Sequence, residues 1–149
     1  MNKSETNEEK KLPYHSGKKY KVANAHYRSL INPELADELY DKILNIIVKE
    51  KKYRIPDYSA KDLTEELKTN NRYVSAVVNS CFGINFSCLL HEYRIKDAKL
   101  LLVDKRYKDL TIEKISTMVG FVNRQSFYAA FFKLVGMTPS AYRKKNYKE

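Results

Sequence analysis

The chain resembles itself. Displaced by 53 residues, Val74 falls on Phe127, Val78 on Phe131, Gly83 on Gly136 and Phe86 on Pro139; displaced by 52, Leu63 falls on Ile115 and Leu67 on Val119. A fixed internal period of this kind means that two equivalent supersecondary units lie in tandem, the first with a turn one residue shorter. In the second copy Ile112, Ile115 and Val119 recur at i, i+3 and i+7, one face of a short helix that Thr111 can cap and Glu113 can stabilise through the helix dipole. Gly120 ends it. A turn to Asn123 leads into a second amphipathic segment, Arg124 to Val135, with Phe127, Phe131 and Leu134 inward and Arg124, Gln125, Ser126, Tyr128 and Ala129 outward. Helix, glycine turn, helix is the unit in which the second helix enters the major groove of DNA.

The first copy has the same grammar. Ser59-Ala60-Lys61-Asp62 offers a capping box for a helix whose Leu63 and Leu67 face in. The turn runs from Lys68 to Asn71. A second helix, from Arg72 to about Phe82, puts Val74, Val77, Val78 and Cys81 inside and leaves Arg72, Ser75, Ala76 and Asn79 outside, with Gly83 as its stop. Between the copies, Phe86, Leu89, Leu90, Tyr93, Ile95, Ala98, Leu101 and Leu102 spread almost all round one helix, Asn85 to Val103, the pattern of an element with neighbours on both sides.

Residues 1–31 are polar and Lys-rich with no sustained period, and read as a flexible basic tail or linker. Asn32-Pro33-Glu34 opens a further helix with a cap, a first-turn proline and an acid at the positive dipole end; Leu35, Leu39, Ile43, Ile46 and Ile47 form its stripe. Tyr53 to Tyr58, with Pro56, reads as an extended connector, Asp104 to Leu110 as a polar loop, and Lys144, Lys145 and Lys148 as trailing residues. The expected fold is all-α, about seven helices: two helix-turn-helix subdomains, about 59–83 and 111–136, joined by a long linker helix at about 85–103, within a domain covering 32–149.

Charge narrows the partners. With 28 Lys and Arg against 18 Asp and Glu, a net +10, the surface favours polyanions. No apolar run approaches the roughly 18 residues of a membrane helix, and no signal-peptide core is present. Cys81 and Cys88 stand apart with a loop between them and read as buried thiols in a reducing compartment. His15, His26 and His91 lack partners at metal-binding spacings. Nucleophile elbows, phosphate loops, dinucleotide fingerprints and paired carboxylates are missing, so no catalytic residue, metal, cofactor or small-molecule ligand is expected.

From about Leu35 to Arg143 the chain resembles the DNA-binding domain of the AraC/XylS family of bacterial transcription regulators. The resemblance rests on Gly83 and Phe86, Tyr93-Arg94-Ile95, Ala98, Leu101-Leu102, Ile112, Ile115, Val119-Gly120-Phe121, Ser126-Phe127, Phe131 and above all Gly136-x-Thr138-Pro139-x-x-Tyr142-Arg143. Asn70 to Phe86 and Lys19-Tyr20-Lys21 are similar to a branch whose members carry this domain at the cytosolic end of membrane-anchored sensors. The resemblance implies two tandem readers of double-stranded promoter DNA, contact with RNA polymerase, a cytoplasmic location and, in that branch, a sensor region on a longer chain. Departures are specific. Ala76 and Ala129 stand where relatives often carry a long donor, Thr64 and Ser116 where alanine is usual, and Phe132 replaces a usual lysine. The competing reading is an interaction module or nonspecific DNA binder that kept the fold.

Carried onto this sequence, the readers' first turns hold Arg72 and Arg124, each able to make a bidentate guanine contact, and Gln125, which can pair with adenine. Ser75, Ser126 and Tyr128 are candidate base or phosphate contacts, and Ala76, Asn79 and Ala129 complete the outer faces. Asn71 and Asn123 are equally helix caps. Lys133, Lys144 and Lys145 suit phosphate screening rather than reading.

Overall fold

A computed structural model of the chain describes residues 31–147. The flexible tail expected at 1–30, with Lys19-Tyr20-Lys21, and Lys148 lie outside the described residues. Seven α-helices and no strands are found among the described residues, so the fold is all-α. They are α1 (Pro33–Leu44), α2 (Ala60–Leu67), α3 (Asn71–Phe82), α4 (Phe86–Val103), α5 (Ile112–Met118), α6 (Arg124–Val135) and α7 (Pro139–Asn146).

Each helix starts for a local reason, because an uncapped first turn leaves amide donors without acceptors. The side chains of Asn32, Ser59, Asn70, Asn85, Thr111, Asn123 and Thr138 accept from the amides of Leu35, Asp62, Tyr73, Cys88, Lys114, Ser126 and Ala141. At Ser59 the cap is reciprocal: the Asp62 carboxylate accepts from the Ser59 amide at 2.8 Å, which holds it below the ordinary carboxylate range. Gly83 and Gly136 end α3 and α6 in the left-handed conformation, at φ 72° and 85°.

The chain divides into two units. The first comprises the residues up to Lys51 and Ser59–Leu89. In it α1 and α2 both pack on α3, burying Leu39, Ile43, Leu63, Leu67, Val74, Val77 and Val78. α1 continues as a π-helical turn, Asn45–Lys49, which brings Ile46 and Ile47 inside. Ile31, assigned above to the tail, is 5% exposed and belongs to this core.

The second unit is discontinuous: Lys52–Tyr58 with Leu90 onward. Its core gathers Ile95, Ala98 and Leu102 of α4, Ile115 and Val119 around α5, Phe121 in the turn, and Phe127, Ala130 and Phe131 of α6. Phe127 is the hub, with ring centroids of Phe121, Phe131 and Tyr128 at 5.2, 5.7 and 5.9 Å. It has no exposed surface. Truncating Phe127 to alanine is therefore expected to cost about 3–5 kcal/mol through lost burial and a residual cavity. A variant melting at the parental temperature would show that the wrong face of α6 had been placed inward.

Two local expectations are corrected. Tyr53 to Tyr58 is not extended: Lys52–Arg54 forms a 3-10 turn, and Asp57 adopts φ 63°. It lies along the second unit as a strap. Arg94, 7% exposed, donates from Nε to the Tyr53 carbonyl at 2.6 Å and from Nη2 to that of Ile55 at 3.3 Å, with its guanidinium over the Phe121 ring. Arg54 closes the other side on buried Asp97, at 2.5 and 2.8 Å. The Tyr53 hydroxyl also donates to Asp97, and burial with the Asp97 charge pushes it up to about 12. Gly120, at φ 110°, sits under the strap, where a Cβ would overlap the Tyr53 carbonyl oxygen. The second correction concerns Lys144 and Lys145, which do not trail but close α7. Thr138-Pro139, a cap followed by a first-position proline, was the signal for that helix. From α7, Arg143 donates to the carbonyls of Leu102, Tyr107 and Leu110 at 3.1, 2.9 and 2.7 Å, pinning the end of α4 and the loop after it.

Candidate nucleic-acid interface

In the first unit α3 is held by the Asn70 cap at its start and by Val74, Val77 and Val78 beneath. Asn71 is the first helical residue rather than the cap, and it and Arg72 are exposed. Ser75 and Asn79 are half-buried, one turn apart on the same side. The Asn79 amide donates back to the Ser75 carbonyl at 2.8 Å, so in the free protein it is folded against its own helix. Ala76 is a correction: it has no exposed surface and cannot touch a ligand. The expected outer face is narrower than the repeat implied, running through Arg72, Ser75 and Asn79.

In the second unit the corresponding helix is more open. Asn123 is engaged as the cap of α6, its oxygen accepting from the Ser126 amide at 2.8 Å, so only its amide end remains for a ligand. Arg124, Gln125, Ser126, Ala129 and Lys133 are exposed, Tyr128 is half-buried, and Lys144 is exposed on α7. The Arg124 guanidinium is held from two sides. Its Nη1 lies 3.2 Å from a Glu113 carboxylate oxygen of α5, and its centre lies 5.0 Å from the Tyr128 ring centroid. Both ion-pair partners are at least half exposed, so the pair contributes little to stability. The two contacts place the guanidinium between the Glu113 carboxylate and the Tyr128 ring.

Two features carry more than the sequence reading assigned them. Glu113 sits where a dipole-stabilising acid belongs, and its second role as a partner of Arg124 needed the turn geometry. Phe132 is 59% exposed on the outer side of α6, and Val122 in the turn is 62% exposed. At the inner edge, burial followed by the charges of Arg94 and Lys133 lowers the His91 pKa, which keeps this imidazole neutral at physiological pH. No group of three or more His, Cys, Asp or Glu side chains that could hold a metal ion occurs among the described residues.

Residues 63–145 match the family described as "Helix-turn-helix domain". The chain is 30% identical over 105 residues to an uncharacterized HTH-type transcriptional regulator, YtdP, of Bacillus subtilis, covering 70% of this chain and 13% of that protein. It is 31% identical over 83 residues to the melibiose operon regulatory protein of Escherichia coli, covering 56% of this chain and 26% of that one. The chain thus spans about a quarter or less of the curated relatives it matches. Among solved structures it is similar to the C-terminal domain of AraT, a response regulator from Geobacillus stearothermophilus (TM-score 0.64, 25% identity, 77% of this chain and 88% of that one). It is also similar to the C-terminal domain of the two-component response regulator yesN from Fusobacterium nucleatum (TM-score 0.60, 31% identity, 73% and 98%).

Proposed function

This chain belongs to the AraC-type helix-turn-helix family, and on that premise we propose that it binds promoter DNA sequence-specifically and regulates transcription, with α3 and α6 as its two reading helices. The observation that carries the reading is local and present in both units. A second helix is fixed at its start by an asparagine cap, buried along its inner face, and carries an arginine within its first two residues, exposed to solvent. Base edges are read by just such N-terminal side chains of a helix laid in the major groove. The lysines outside that turn, Lys133 on α6 and Lys144 on α7, supply phosphate contacts that fix register without choosing sequence.

Regulation requires more than the groove. The family resemblance extends the proposal to a contact with RNA polymerase. Similarity to the C-terminal domains of response regulators supports an output role, with the input carried by a sensor region of a longer chain. No single helix among the described residues is long and apolar enough to cross a membrane. Acting on promoters, the domain works in the cytoplasm.

Selecting duplexes from a random pool tests the proposal, since a sequence-specific reader enriches a defined site. On that site Arg124→Ala and Lys144→Ala are expected to separate. The first loses about 1–3 kcal/mol and relaxes preference at one base pair, whereas the second weakens all duplexes alike. Equal, sequence-independent losses would make Arg124 a phosphate contact.

A further inference from the structure

The outer ridge of α6, read from its amino end, changes chemistry. Gln125, Ala129 and Phe132 lie at i, i+4 and i+7, all exposed, and on a helix of 100° per residue they point directly away from buried Phe127, Ala130 and Phe131. The ridge is therefore polar in the first turn and apolar in the next two. Arg124 and Lys133 flank it, so an apolar strip is framed by cations. The major groove has the complementary layout: anionic walls, and a floor whose apolar feature is the C5-methyl of thymine.

We infer that Ala129 and Phe132 form a thymine-reading strip that packs on C5-methyl groups in the second box of the DNA site. The inference rests on the proposal that α6 lies in the groove. It adds a ligand chemistry that the polar residues do not supply, because Arg124 and Gln125 address hydrogen-bonding edges of purines. Phe132 lies seven residues from Gln125, about 10 Å along the helix, roughly three base-pair steps of 3.4 Å. The thymines are thus expected about three base pairs from the base that Gln125 addresses.

The test uses the full chain and the duplex selected from the random pool, with each thymine of the second box replaced in turn by deoxyuridine, which removes only the methyl. Wild-type affinity is expected to fall roughly fourfold at one or two positions, the effect of losing one buried methyl-sized group. Phe132→Ala, which removes an exposed ring and should leave the melting temperature unchanged, is expected to bind the thymine and uracil duplexes alike at the position Phe132 covers, while Phe132→Leu keeps part of the difference. Unchanged affinity at every uracil position, or a selected second box without thymine, overturns the strip and leaves sequence-specific binding standing. Failure to enrich any site overturns the groove placement itself, and the strip with it.

Discussion

Raising salt from 50 to 200 mM is expected to weaken duplex binding by roughly 10³ or more, provided six or more phosphates are neutralised. The net +10 charge suggests an ample supply of cations, but the structure commits several elsewhere. Arg94 and Arg143 are spent on backbone carbonyls, Arg54 on Asp97, and Arg106 on Asp104. What remains toward the reading helices includes Arg72, Lys133, Lys144 and Lys145, all exposed. The slope of log affinity against log salt, measured by fluorescence anisotropy, counts the phosphates directly. A flat titration excludes the phosphate-anchored binding proposed above.

A second large effect is expected from the DNA. If one chain reads two boxes through α3 and α6, the site is an asymmetric pair of short boxes about one helical turn apart, and not a palindrome. Between α3 and α6 in sequence lies α4, an uninterrupted helix of 18 residues. Inserting five base pairs turns the second box to the opposite side of the duplex. Most of the sequence-specific affinity, commonly 10³-fold or more over nonspecific binding, should be lost, leaving the phosphate contribution. Equal affinity for the original and expanded duplexes would mean that only one of the two helices reads sequence.

What could be read from the residues, and what could not, follows the range of the forces involved. Helix starts were legible because a cap is made by a side chain three residues from the amide it serves: Asn32, Ser59 and Thr111 carry their own evidence. Phe127 and Phe131 were legible because apolar spacing along α6 depends on its own period. Ala76 was not. The repeat equates it with Ala129, yet Ala129 is exposed and Ala76 buried, in a unit where α1 also packs on α3. A helical wheel carries no knowledge of its neighbours. The pairing of Glu113 with Arg124, and the strap held by Arg94 and Asp97, join residues 11 to 44 positions apart, and no local pattern encodes such pairs.

The strap also decides how this domain can be cut and recombined. Lys52–Tyr58 precedes the first reading unit in sequence but folds with the second, so the two are interleaved along the chain like the teeth of a clasp. A contiguous cassette beginning at Leu90 would carry α5, α6 and α7 but leave the buried Arg94 guanidinium without its two carbonyl acceptors, and a buried charge stripped of its partners is strongly destabilising. A second reader moved to another chain must therefore bring the seven-residue strap with it, or meet one there whose backbone carbonyls can take Arg94.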